Sequence, residues 1–185
     1  MYRIILLFLA LFSLGCSTGR IATTANTKPN ETIVFGKLTL DSSRPLASEK
    51  IVLHFNERLW GKHTVWLDES GYFYMKLPLG NHFLSLLEYR DNIGFYKNLP
   101  PNYISVNLTE PEKVYYIGDI YLTWTPVELA DMRQNKGVVG AIAEAEKRGE
   151  YVPASVESSQ QTVNFFKQKF IGNQKEIVTE LVTIE

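Results

Sequence analysis

Apolar and polar residues alternate along the middle of the chain in short segments separated by turn-forming residues. In one of these segments Val34 and Leu38 share one face, and Phe35 and Thr39 share the other, because successive side chains of a strand point to opposite faces. Seven such segments lie at 32–40, 50–56, 63–68, 72–78, 82–90, 103–109 and 114–122. Seven short strands at regular spacing predict an antiparallel β-sandwich over residues 32–122.

Two clusters of turn residues support this interpretation. Asp68-Glu69-Ser70-Gly71 ends in glycine, which adopts positive φ without steric cost and can close a tight hairpin. Pro78-Leu79-Gly80-Asn81 is a second cluster of residues that favour turns. Each cluster separates two predicted strands, so the chain is expected to reverse direction at both.

The same region carries turn and core motifs along about half of the chain. The motif residues are Gly36-Lys37-Leu38-Thr39, Arg44-Pro45-Leu46-Ala47, Ile51-Val52-Leu53, Thr64, Asp68-Glu69-Ser70-Gly71-Tyr72-Phe73 and Leu77-Pro78-Leu79-Gly80-Asn81-His82-Phe83. This pattern resembles the carboxypeptidase regulatory-like domain, a transthyretin-like (prealbumin-like) β-sandwich. The resemblance implies an accessory module of a surface protein without catalytic residues of its own; a fold alone does not define a function.

The last third of the chain, residues 123–185, changes to helical patterning. Thr125-Pro126-Val127-Glu128 has the spacing of a capping box with proline at the first helical position, and residues 141–148 favour a helix. Val163, Phe166 and Phe170 form an apolar stripe on a helix predicted over 158–170. Residues 177–184 fit a strand or a final helical turn. We expect C-terminal helices that pack on the sandwich, the alternative being an amphipathic helix that binds a partner.

The N-terminal residues have the pattern of an export signal. Arg3 precedes an almost wholly apolar run over residues 4–14, which is shorter than the roughly 20 residues that span a bilayer. Cys16 follows at once and is the single cysteine of the chain, so an intrachain disulfide is excluded. The pattern predicts a signal peptide over residues 1–15.

Ser13-Leu14-Gly15-Cys16 resembles the lipobox of bacterial lipoproteins, although leucine is commonest where Ser13 stands and a small residue where Leu14 stands. The resemblance implies cleavage before Cys16 and a diacylglyceryl group, usually with a third acyl chain (palmitate or similar), on that cysteine. Two or three acyl chains anchor a protein stably. Ser17 in place of aspartate favours the outer membrane, on its periplasmic or surface side. The alternative is an ordinary signal peptide followed by an unrelated cysteine.

Residues 17–31 are small, polar and aperiodic, so residues 16–31 are predicted to be a lipidated cysteine and a flexible tether. The chain has 19 basic and 20 acidic residues and a formal charge of −1, without a run of lysines or arginines. Nucleic-acid binding needs a clustered basic surface, so this class of partner is not expected.

Sequence motifs for catalysis are missing. The chain has no Gly-x-Ser-x-Gly, no His-Glu-x-x-His and no phosphate-binding glycine loop, so we expect neither an enzyme nor a cofactor. His54, His63 and His82 all fall toward one end of the predicted sandwich and are weak candidates for a metal site, since zinc favours imidazole ligands. A metal-binding or hydrolytic protein that uses these histidines is therefore the alternative to a non-catalytic one.

The connection 91–102 is predicted to be a long loop that carries Phe95 and Tyr96. Loops on rigid scaffolds often carry function and aromatic anchors suit interfaces, so these two rings, and Trp60 at the opposite end, are candidate partner contacts. The alternative is that the rings cap the sandwich or are covered by the C-terminal helices. Together these patterns predict a lipid-anchored envelope protein whose non-catalytic sandwich binds or scaffolds an envelope protein or a glycan.

Overall fold

Every segment with strand periodicity contains a strand in the computed structural model, which describes residues 27–56, 63–91, 93–126, 149–172 and 175–185. Its elements, in chain order, are β1 (Glu31–Asp41), a short 3-10 helix (Ser48–Lys50), β2 (Ile51–Phe55), β3 (Thr64–Trp66), β4 (Tyr72–Pro78), β5 (Gly80–Asp91), β6 (Ile93–Asn98), β7 (Ile104–Leu108), β8 (Val114–Thr123), β9 (Ala154–Glu157), α1 (Gln160–Lys169), β10 (Ile177–Thr179) and β11 (Thr183–Ile184).

The strands form two sheets that face each other. The first sheet has the order β10-β8-β1-β4, and β9 also pairs with β8. The second sheet has the order β11-β7-β5-β2-β3, and β6 also pairs with β5. Side chains from both sheets, such as Val34 and Phe73 from the first and Leu53 and Leu84 from the second, share one buried core. The protein is therefore mainly β, with the two-sheet arrangement of a sandwich.

The prediction of seven antiparallel strands was wrong in number and in direction. The predicted region holds eight strands, β1 to β8, because β6 was not expected, and β8 runs parallel to both β1 and β10. The parallel pairing arises because β1 lies in the middle of the first sheet, between β4 and β8. β4 runs antiparallel to β1. After β4 the chain forms β5, β6 and β7 in the second sheet, and β8 then lies beside β1 and runs in the same direction as β1.

The segment 91–102, predicted to be a loop, contains β6. Asp91 and Ile93 are paired across a tight reversal, and β6 then runs antiparallel along β5, with Tyr89 opposite Phe95. Farther along, β7 continues on the same strand β5, with Phe83 opposite Ser105. One long strand thus supports two shorter ones end to end, and the predicted loop is part of the sheet.

The predicted helix over 158–170 is confirmed as α1, whose N-cap residue Ser159 accepts a hydrogen bond from the backbone amide of Thr162. The predicted helical positions 127–148 lie outside the described residues. In the described part of 123–185 the helix is accompanied by three strands. Two of them, β10 and β11, lie within 177–184, where the sequence fitted a strand or a helical turn, and β9 was not predicted. These strands form because β8 and β7 offer unpaired edges.

Helix α1 covers the outer face of the first sheet and makes a second, smaller core. Phe166 stacks on Phe35 with ring centroids 4.0 Å apart, and Phe165 stacks on Tyr72 at 4.1 Å. Buried Asp119 fixes the helix start, since it accepts hydrogen bonds from the Tyr116 hydroxyl at 2.8 Å and the Thr162 hydroxyl at 2.9 Å. The apolar stripe predicted for this helix therefore packs on the sandwich.

The strand directions give the sandwich two distinct ends. Residues 27–30 enter β1 at one end, where the backbone amide of Leu79 donates to the carbonyl of Asn30. We call this the tether end. The opposite end, here the far end, holds the connections 42–50 and 67–71 and the exit of β8, where the amide of Trp124 donates to the carbonyl of Asp41.

Candidate functional site

The residue that carries the anchor prediction, Cys16, lies outside the described residues, and so does Trp60. Lipid attachment at Cys16 and a partner contact at Trp60 stay predictions. In the part of the chain that the structure describes, no helix is both long and apolar enough to cross a membrane.

Phe95 and Tyr96 do not share one exposed surface. Phe95 is only 6% exposed and belongs to the main core, with the Arg44 guanidinium carbon 5.9 Å from its ring centroid. Tyr96, the next residue on β6, is half-buried. Strand pairing with β5 turns alternate side chains inward, so the ring of Phe95 caps the core. The idea that Phe95 is an exposed partner contact was therefore wrong.

His54 is buried in a polar network on the second sheet. Its Nε2 lies 2.9 Å from Oε2 of Glu88, and its Nδ1 lies 3.2 Å from the hydroxyl of Thr64. Arg90 completes the network, because its Nε and Nη2 donate to the two Glu88 oxygens at 2.5 and 3.1 Å. Burial alone would raise the pKa of Glu88, but the hydrogen bonds from His54 and Arg90 outweigh it and lower that pKa below its usual range.

The order hydroxyl, imidazole and carboxylate also occurs in nucleophilic catalysts, where the imidazole acts as the base. Here the carboxylate is shared with Arg90, whose guanidinium carbon lies 4.8 Å from the Trp66 ring centroid. Neither Thr64 nor His54 lines the cavity described below. The arrangement is that of a buried carboxylate, Glu88, whose charge is stabilised by hydrogen bonds from His54 and Arg90.

His63 and His82 lie together, apart from the His54 network, with ring centroids 6.2 Å apart. The Nε2 of His82 donates to the Pro78 carbonyl at 2.8 Å, and its Nδ1 accepts from the Asn56 amide at 2.7 Å. Both ring nitrogens are therefore used by the fold. Burial lowers the pKa of His82, and the hydrogen bond to Pro78 opposes that shift only in part.

The three histidines accordingly do not converge on a single metal site. Among the described residues, no group of three or more histidine, cysteine, aspartate or glutamate side chains could hold a metal ion. The positions of His63 and His82 agree with the expectation that the histidines lie toward one end. His82 bonds to Pro78, which ends β4 at the tether end, and His63 lies beside His82. Glu88 is a partner that sequence reasoning missed, because only the pairing of β2 with β5 brings it beside His54.

A cavity of about 370 Å³ opens at the far end, beside the edge strands β3 and β4. Its lining residues are Glu49, Trp66, Leu67, Asp68, Glu69, Ser70, Tyr72, Tyr74 and Lys169. Asp68 shapes its rim, since one carboxylate oxygen accepts from the amides of Ser70 and Tyr72 at 3.0 and 2.9 Å. The other oxygen accepts from the Lys169 ammonium at 3.3 Å, which ties α1 to the hairpin turn.

A positively charged side chain of the protein lies over each aromatic ring of this cavity. Lys37 lies 5.4 Å from the Tyr72 centroid and Lys169 lies 4.7 Å from the Tyr74 centroid, while Arg90 lies over Trp66. Tyr74 is 4% exposed, and its buried hydroxyl has no hydrogen-bond partner among the residues that the structure describes. Burial, with the nearby Asp68 charge, raises the pKa of this phenol, so the group is a neutral hydroxyl at physiological pH.

Sequence reasoning did not find this cavity. Its aromatic residues lie at positions that the sequence pattern assigns to strands. Lys169 belongs to α1 and follows Tyr74 by more than ninety residues in sequence. The only indication of this cavity in the sequence is the high proportion of aromatic and acidic residues between Trp66 and Tyr74.

Comparisons with known proteins add little to this geometry. The sequence matches no protein-family model, and no curated protein is similar to it. Among solved structures the chain is similar to a DUF3823 family protein from Parabacteroides merdae, with 21% sequence identity and a TM-score of 0.29. The match covers 54% of this chain and 48% of that protein, so it spans about half of each. A likeness of this degree defines neither a fold nor a function.

Proposed function

We propose that this protein is a bacterial lipoprotein, cut before Cys16 and anchored to the outer membrane by lipid on that cysteine. Its sandwich, of the transthyretin-like class, is a non-catalytic module that binds or scaffolds an envelope protein or glycan. The observation that carries the proposal is the apolar run over residues 4–14 that ends in Gly15-Cys16. An apolar segment of this length is typical of an export signal rather than of a membrane span.

The direction of β1 supports the module's orientation. The chain enters β1 at the tether end, and β1 runs from Glu31 to Asp41 toward the far end. At about 3.3 Å per residue, a strand of 11 residues spans roughly 35 Å. In a protein anchored through Cys16, the cavity at the far end therefore faces away from the membrane, where a partner has access.

The buried polar groups support a non-catalytic role. Glu88 and Asp119, the two carboxylates buried within the described part of the chain, accept hydrogen bonds from side chains of the fold, and His54 is held between Glu88 and Thr64. A general base must be within reach of a substrate proton. Groups that are enclosed and fully bonded contribute to stability and specificity of the fold instead.

The transthyretin-like assignment is supported by the turns that the family motifs mark. Gly71 closes the Asp68–Gly71 turn with φ of 84°, and Gly80 has φ of 119° between β4 and β5. Both glycines were singled out as part of the motifs, and both occupy conformations that other residues avoid.

Metabolic labelling with an alkyne analogue of palmitate tests the anchor. We expect label on the wild-type protein, none on Cys16→Ala, and unchanged label on Ser17→Ala as the matched control. In a Gram-negative host the wild-type protein should fractionate with the outer membrane, whereas Ser17→Asp should move it toward the inner membrane. Unlabelled wild-type protein would refute the proposal.

A further inference from the structure

We propose that the far-end cavity is a binding site for a neutral saccharide. This inference rests on the proposed function, because it takes the end that faces away from the membrane as the recognition surface. The ligand class follows from the charges of the cavity and from its hydrogen-bonding groups.

The charges around the cavity disfavour ionic ligands of either sign. Glu49 and Glu69 line it and make no hydrogen bond or ion pair within the described residues, so they repel an anion. A cation is attracted by carboxylates and by aromatic faces. However, the rings of Trp66, Tyr72 and Tyr74 already hold Arg90, Lys37 and Lys169. A second cation would approach these positive charges, so a neutral ligand fits best.

The hydrogen-bonding groups of the cavity require a ligand with many hydroxyls. Carboxylates only accept hydrogen bonds, whereas the Lys169 ammonium only donates them. Sugar hydroxyls donate and accept, so one saccharide can satisfy both kinds of group.

The size and the apolar surface of the cavity agree with this ligand class. A volume of about 370 Å³ lies at the lower end of the range for small-molecule sites, which suits a mono- or disaccharide unit. Trp66 and Leu67 supply apolar surface next to the polar groups. The C–H faces of a sugar ring pack on such surface while its hydroxyls reach the carboxylates.

The test uses the full-length protein in detergent on an array of neutral glycans that covers α- and β-linked hexoses and N-acetylhexosamines. Binding of a neutral glycan is then measured by calorimetry, with spermidine and a glucuronate oligomer as the cationic and anionic comparisons. We expect a neutral glycan to bind and neither ion to compete. Failure of every neutral glycan to bind, or binding of spermidine or glucuronate in preference, would overturn the proposal.

Variants locate the site. Glu49→Gln and Glu69→Gln each replace a charged acceptor of the lining with a neutral amide and should weaken glycan binding about two- to tenfold. Tyr151→Phe, a change at a tyrosine that is 70% exposed and away from the cavity, should leave binding unchanged. Equal affinity of all three variants would place the glycan elsewhere and refute the assignment. Because palmitate labelling and glycan binding are separate readouts, failure of the anchor and failure of this site are distinguishable.

Discussion

Replacing Gly71 with alanine should destabilise the sandwich strongly, for two separable reasons. Gly71 has φ of 84°, a conformation that residues with a side chain rarely adopt. A Cβ atom at this position would also lie 2.6 Å from the carbonyl oxygen of Leu38, which is a backbone atom of the central strand β1. The carbonyl oxygen of Gly71 also accepts a hydrogen bond from the backbone amide of Leu38 at 2.9 Å. The turn therefore cannot move away from β1 without losing this hydrogen bond.

Two other glycines separate these contributions. Gly80 has φ of 119°, but a Cβ there would meet no atom within 4 Å, so Gly80→Ala reports backbone strain alone, about 1–3 kcal/mol. Gly172 has neither a positive φ nor a neighbour within 4 Å, so Gly172→Ala should change stability by less than about 1 kcal/mol. Gly71→Ala adds steric overlap of about 1–3 kcal/mol to the strain, which gives about 2–6 kcal/mol in total.

Urea denaturation followed by tryptophan fluorescence measures the three variants under one set of conditions. The expected order of unfolding free energy is Gly172→Ala above Gly80→Ala above Gly71→Ala, with unchanged m-values. If Gly71→Ala were as stable as Gly80→Ala, the contact with Leu38 would contribute nothing. If it were as stable as Gly172→Ala, the turn itself would be misassigned.

Three further predictions concern the helix, the core and the response to acid. Thr162→Val removes the hydroxyl that donates to buried Asp119 and should lower the unfolding free energy by about 1–3 kcal/mol in urea titrations. Phe95→Ala should cost about 3–5 kcal/mol and Tyr96→Ala distinctly less, and a Phe95→Ala protein with unchanged thermal stability would contradict the core position of this ring. Because burial lowers the pKa of His82 below 6.5, the unfolded chain binds its proton first. Stability should therefore fall as pH drops below 6.5, with the His82 ring titrating in NMR spectra below that value.

The strands of the sandwich were accessible to sequence analysis because their signals are local. Period-two alternation and glycine-containing turns placed β4 at its observed bounds of Tyr72–Pro78. By contrast, β6 was read as a loop, since Gly94 and the Pro100-Pro101 pair are turn signals. The strands β9, β10 and β11 have two to four residues each, and they form by pairing with distant edges rather than through their own periodicity.

The sites depend on register and direction, which a single sequence does not reveal. His54 meets Glu88 only because β2 and β5 pair in one register. The far-end cavity needs Lys169 beside Asp68, a contact between a C-terminal helix and an early hairpin. The apolar stripe of α1 was visible in the sequence, but the face of the sheet that it covers was not.

The parallel alignment of β1 with β8 also constrains how the protein forms in the cell. β1 ends at Asp41 and β8 begins at Val114, so the first sheet closes only after a long loop has been brought together. Contacts of such high sequence separation make folding slow, because the entropy of loop closure is lost before the strands pair. A chain that emerges from a translocation pore with its N-terminus first would expose the edges of β1 until β8 follows. If the protein is exported and anchored as proposed, a periplasmic holdase chaperone would limit aggregation during this interval.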